Sequence, residues 1–137
     1  MSNTKPIGVA YTDQDIIGSD YIYSAGELGY TAAAQGAVTQ ATDKGTAVTL
    51  NKSVGRITMN NAALAGSTAV TFTLNNSLIS AKDTIIVCIS GGGTAGAYTT
   101  YISSMTTGSA VIALRNLTAS TSYSEAVIIN YAIIHGQ

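Results

Sequence analysis

The chain has 137 residues, a formal net charge of −1 and only 9% charged side chains, with a single His and a single Cys. That length holds one domain with room for an appended arm, and the charge leaves no electrostatic footprint for a nucleic acid. So thin a supply of acids, bases and nucleophiles argues against an enzyme, which needs such groups gathered around a pocket.

Residues 1–30 read as an irregular arm. They carry Asp13, Asp15, Asp20 and Glu27 against Lys5, a net of −3, together with Tyr11, Tyr21, Tyr23 and Tyr30. No helical or strand period runs through them, and rings spaced along such a segment are expected on an arm that buries them against another surface. The remaining residues hold Lys44, Lys52, Arg56, Lys82 and Arg115 against Asp43, Asp83 and Glu125, a net of +2. An acidic arm on a mildly basic body is suited to docking on a neighbour. The start, Met-Ser-Asn-Thr-Lys-Pro-Ile-Gly, has no apolar h-region, so a secretory leader is not expected. Asp13-Gln-Asp-Ile-Ile-Gly18 imitates the start of a calcium loop, but Ile17 and Ser24 stand where the fifth and twelfth ligands belong. No metal or other cofactor is expected.

Residues 31–37, Thr-Ala-Ala-Ala-Gln-Gly-Ala, read as a small-residue linker with one helical turn. This divides the chain into an arm and linker, 1–37, and a body, 38–137. Strands are expected over residues 46–50, 55–59, 68–74, 84–90, 97–103, 109–116 and 125–134. Val70, Phe72 and Leu74 alternate with Thr71 and Thr73, and Ile112 and Leu114 alternate with Val111, Ala113 and Arg115, which is the period of a half-buried strand. Residues 84–89 and 127–134 are apolar on both faces and read as central strands covered on each side. Residues 75–81 read as a short 3₁₀ turn. Turn formers separate the strands at Asn51-Lys-Ser, Ala65-Gly-Ser, Asn75-Asn-Ser, Gly91-Gly-Gly, Thr107-Gly and Ala119-Ser-Thr-Ser. About seven short strands without intervening helices define an all-β fold, a β-sandwich or jelly roll. Trp is absent and Phe72 is the only Phe, so the core is expected to be thin and built from β-branched side chains. No apolar run approaches the ~20 residues that span a bilayer, and no membrane partner is expected.

Three motifs imitate chemistry. Ser90-Gly-Gly-Gly-Thr-Ala-Gly96 contains G-x-G-x-x-G after an apolar strand, but Tyr98-Thr-Thr-Tyr-Ile102 after it is β-patterned, so no helix start is available for a pyrophosphate. Gly91, Gly92, Gly93, Thr94 and Gly96 are therefore expected to form an exposed, flexible hairpin loop. Cys88 lies within Ile85-Ile-Val-Cys-Ile89 and reads as an inert core cysteine. His135 has no ligand at metal spacing and is expected to be exposed or at a subunit contact.

Four blocks in order resemble a module of tailed-bacteriophage virion proteins. They are Val38-Thr-Gln-Ala-Thr-Asp-Lys-Gly-Thr-Ala-Val-Thr-Leu-Asn-Lys-Ser-Val-Gly-Arg-Ile-Thr-Met-Asn-Asn-Ala-Ala-Leu-Ala-Gly66, Val70-Thr-Phe-Thr-Leu-Asn-Asn-Ser77, Ser90-Gly-Gly-Gly-Thr-Ala-Gly-Ala-Tyr98 and Ser124-Glu-Ala-Val-Ile-Ile-Asn-Tyr-Ala-Ile-Ile-His-Gly136. Proteins with this module are similar to capsid decoration (cement) proteins and to the distal domains of head or tail fibres. The resemblance implies a trimeric β-sandwich on the outer capsid surface of a virion, with the major capsid protein and copies of itself as partners and no catalytic residues. It leaves two roles. In the first, a decoration protein grips the shell through Tyr11, Asp13, Asp15, Asp20, Tyr21 and Tyr23. In the second, a fibre module presents residues 91–96 and 118–124, with Tyr98, Tyr101 and Tyr123 nearby, to a host-surface glycan or receptor.

Overall fold

Alternation of apolar and hydroxyl side chains builds this molecule. The computed structural model describes Tyr21, Tyr23 and residues 25–136, and after a 3₁₀ turn at Ala32–Ala34 the described chain forms eight strands. These are β1 (Gln35–Thr39), β2 (Val48–Thr49), β3 (Val54–Thr58), β4 (Ala69–Asn75), β5 (Thr84–Gly91), β6 (Tyr98–Thr106), β7 (Ser109–Asn116) and β8 (Ile128–Ile134). They assemble as two four-stranded mixed sheets, ordered β1-β3-β8-β5 and β2-β4-β7-β6, packed face to face as a β-sandwich.

The connectivity is unusual for so small a sandwich. Only β6 and β7 form a hairpin within one sheet, turning at Thr107-Gly108, where Gly108 has φ +85°. Every other connection between successive strands crosses to the opposite sheet. As a result β3 lies parallel to β1, and β4 lies parallel to β2. Along the two sides β1 abuts β2 and β5 abuts β6.

The inward faces make the core. Phe72 and Leu74 of β4, Ile112 and Leu114 of β7, Ile57 of β3, and Ile129, Tyr131 and Ile133 of β8 are all buried, joined by Val48, Met59, Ile79 and Val127. Burying each such side chain contributes about 1.5–3 kcal/mol, so a core of mostly branched residues holds the two sheets together. Phe72 is therefore the core aromatic its alternation implied.

Tyr131 is a second one, and its place depends on a glycine. Gly55 is its partner across β3 and β8, and a Cβ at Gly55 would lie 2.3 Å from the Tyr131 ring. The ring occupies the space a larger residue would have used. Its hydroxyl lies 2.9 Å from the Lys52 carbonyl and 3.2 Å from that of Leu50, and accepts from Asn76 Nδ2. One buried phenol thus ties β8 to the turn before β3 and to the turn after β4.

Several sequence expectations are corrected. The segment read as a linker contains the expected helical turn, but Gln35 already begins β1, which pairs with β3 along its whole length. Small residues suit that strand, because a Cβ on Gly36 would meet Leu50 and Lys52 at 2.9 Å. β5 is an edge strand rather than a central one, and its outward residues Ile86 and Cys88 are exposed. Cys88 is consequently a surface thiol and not a core residue. The outward side of β8 is also uncovered at Ile134. Residues 75–81 form turns, one closed by the Ile79 amide donating to the Asn76 carbonyl, in place of a 3₁₀ turn.

Candidate functional site

Tyr30 fixes the end of the arm to the body. Its hydroxyl donates to the Ile133 carbonyl, and Gln35 Nε2 donates to the Tyr30 carbonyl. Leu28, Gly29 and Tyr30 lie over Ala132 and Ile134 and enclose an open groove of about 580 Å³ at this end of β8. Upstream, Tyr21 and Tyr23 stack on one another with ring centroids 5.9 Å apart. They are 76% and 88% exposed, so their apolar surface is covered by little except each other. Of the residues expected to grip a capsid, Tyr21 and Tyr23 are thus displayed outward. Tyr11, Asp13, Asp15 and Asp20 lie outside the described residues.

The glycine-rich segment is exposed at Gly92, Gly93, Thr94 and Gly96 and half-buried at Gly91. It is a crossing from β5 to β6, between sheets, rather than a hairpin loop. It is also clipped in place. The Glu125 carboxylate accepts from the Thr94 amide at 3.0 Å, the Thr94 hydroxyl at 2.7 Å and the Tyr98 hydroxyl at 2.8 Å. Gly92 has φ +74°, and a Cβ there would lie 2.1 Å from the Ala126 carbonyl oxygen. The glycines answer to close approach of backbone, and the segment runs into β6 at Tyr98, as the β pattern required.

These bonds set the local electrostatics. The Thr94 amide, then its hydroxyl and that of Tyr98, hold the Glu125 carboxyl below the usual carboxylate range. Burial, reinforced by Glu125, pushes the Tyr98 phenol up. Tyr98 in turn tilts against Tyr123 at 5.9 Å, so of the three tyrosines considered for sugar stacking two are engaged with each other, and Tyr101 is left exposed on β6.

Behind the loop lies a buried cation. Lys44 is 3% exposed, and its ammonium donates to the carbonyls of Asn60 and Glu125. Burial lowers its pKa, opposed by the attraction of Glu125. Gln40, also buried, donates to the carbonyls of Lys44 and Thr46 and accepts from the Asn60 amide. At the far end, Asp83 accepts from the Ser80 and Gly136 amides and pairs with His135 Nδ1 at 3.2 Å. The Ser80 amide leads in holding the Asp83 carboxyl low, with Gly136 and His135 adding to it. His135 is half-exposed, and its role is to help hold the end of β8 on the turn before β5. The longest of these ties were not legible in the sequence, since Asp83 and His135 are 52 residues apart and Lys44 and Glu125 are 81 apart, and no spacing marks them.

Among the described residues no three His, Cys, Asp or Glu side chains are grouped as metal ligands, and no helix is long and apolar enough to cross a membrane. Family models, curated proteins and solved structures were all compared with this chain, and none matches it.

Proposed function

We propose that this protein is a structural component of a tailed-bacteriophage virion that decorates and reinforces the capsid exterior as a trimer. The observation that carries this reading is the arm. Tyr21 and Tyr23 project from the sandwich with most of their surface uncovered, at the end of a segment with a net charge of −3. Exposed aromatic side chains bring large rigid area to a contact at low conformational cost. Several polar side chains of the body, by contrast, are spent on its own loops: Glu125, Lys44, Gln40, Asn76 and Asp83 all bond within the chain. The four blocks similar to phage virion modules point the same way. In this reading the arm grips the shell between major capsid subunits, and each copy adds contact area that opposes the outward pressure of packaged DNA.

The test is the copy number of this protein in purified virions, by quantitative mass spectrometry against the major capsid protein. A ratio near one, or a simple fraction such as one third, is expected. A ratio of a few per cent would assign it to a fibre and make a host-surface glycan or receptor the partner. Absence from virions would overturn both roles.

A further inference from the structure

We propose that the outer face of the β1-β3-β8-β5 sheet is where copies of this chain join, each receiving the Glu27 and Leu28 rim of a neighbouring copy. This rests on the self-assembly stated above and names the surface that makes it. Register places Gln35, Val54, Ala132 and Ile86 in one outward row, and Ala37, Arg56, Asn130 and Cys88 in the next. Ile86 and Ile134 are each 54% exposed. Arg56 is the single charge among the outward residues of these four strands. It is exposed, and its guanidinium has no ion pair or hydrogen bond among the described residues. β5 is an edge strand without a charged residue or a proline, although soluble proteins ordinarily protect such edges with one or the other.

The complementary patch lies at the end of the same face. Tyr30 is fastened to Ile133, which sets Leu28 at the groove over Ala132 and Ile134, with Glu27 the residue before it. Leu28 is 92% exposed, and Glu27 has no hydrogen-bond or ionic partner among the described residues. Among the described residues, one chain therefore offers an unpaired carboxylate next to an exposed leucine, and an unpaired guanidinium on an exposed face that also carries Ile86, Ala132 and Ile134. Within the chain these two charges do not meet. Between copies they can, and a carboxylate paired with arginine is a strong, directional contact. Used head to tail, the two patches make a heterologous contact that builds a trimeric ring where the rotation closes; used reciprocally, they make a two-fold dimer, and native mass spectrometry separates the two.

Cys88, the only cysteine of the chain, sits on this face and reports on it. The experiment combines native mass spectrometry of the full chain with the rate of maleimide labelling at Cys88. The expected result is an oligomer in which Cys88 reacts at least about tenfold more slowly than in dissociated protein. Arg56→Glu and Ile86→Asp should each dissociate it and expose the thiol, with circular dichroism unchanged. The double variant Glu27→Arg with Arg56→Glu should reassemble, which a folding defect would not allow. An oligomer with Cys88 freely labelled, or one indifferent to Arg56→Glu, would overturn this surface and leave self-assembly standing. A wild-type chain that stays monomeric when concentrated would overturn the assembly itself, and Cys88 protected only on particles would assign the face to the capsid.

Discussion

Tyr131 shows how one side chain can serve both apolar and polar needs. Its ring fills the void left by Gly55, and its hydroxyl shares the Lys52 carbonyl with Asn76 Nδ2, which lies 2.8 Å from that oxygen. Removing the hydroxyl in Tyr131→Phe leaves the Lys52 carbonyl still bonded, so the cost should sit near 1 kcal/mol. Asn76→Ala removes that second donor as well as the acceptor for the Leu78 amide, and should cost more, up to about 3 kcal/mol. Urea unfolding of the two variants checks the order. Tyr131 also sets an alkaline limit. Burial raises its phenol to about 12, with Asn76 pulling slightly the other way, so the folded chain holds this proton more tightly than the unfolded one. The resulting stability is complete below the unfolded value near 10 and is lost as pH climbs toward about 12. Lys44 acts in the opposite sense, because its lowered pKa lets stability rise toward pH 10.5. The phenol's share is isolated by comparing urea midpoints at pH 9 and 11.5: the fall between them should be smaller in Tyr131→Phe than in the parent.

At the scale of elements, the crossing from β5 to β6 is held by Glu125, which lies just before β8 in the other direction of the chain. Its carboxyl is lowered from 4.5, led by the Thr94 amide, and that of Asp83 is lowered from 3.8, led by the Ser80 amide. A depressed acid contributes stability that is present above its unfolded value and lost as pH falls through the folded one. The urea midpoint should therefore drop below about pH 4.5, and Glu125→Gln should start lower at pH 7 and lose less on acidification. Gly92→Ala attacks the same crossing from the backbone side, with φ +74° and the Ala126 carbonyl in its way. It should cost about 1–3 kcal/mol, read as a fall in melting temperature. β4 and β7 were legible in the sequence because their inward residues alternate with hydroxyl, small or charged ones, and in β4 the second face is largely open to solvent. β1 was hidden because its Gly and Ala residues carry little pattern, and Gly36 is there to let Leu50 and Lys52 approach. β5 was misplaced for a different reason: Ile86 and Cys88 are apolar yet face outward, and apolarity alone does not distinguish a covered face from an open one. The glycine loop was found but its rigidity was not, since nothing local links Thr94 to Glu125.

For the whole molecule, the question is whether arm and sandwich have separable tasks. The sandwich closes its own core, and Tyr30 ties the arm to it through the Ile133 carbonyl and Gln35. Tyr21 and Tyr23, being mostly exposed, contribute little to that core. Deleting residues 1–24 should leave the melting temperature within a few degrees of the full chain, because a shift of 1 kcal/mol corresponds to roughly 4 °C at this size. If the arm is what grips a capsid, the same deletion should abolish binding to particles stripped of this protein. Sedimentation of particles with full-length or truncated chain measures that directly. Tyr21→Ala with Tyr23→Ala makes the finer cut, since it removes the stacked pair and keeps the acidic residues. Loss of binding in the double variant would place the affinity in aromatic burial, whereas retained binding that weakens with salt would place it in Asp13, Asp15 and Asp20, because exposed charge pairs are screened beyond about 10 Å at 0.1 M ionic strength. Full decoration by the truncated chain would instead mean that the sandwich itself carries the capsid contact.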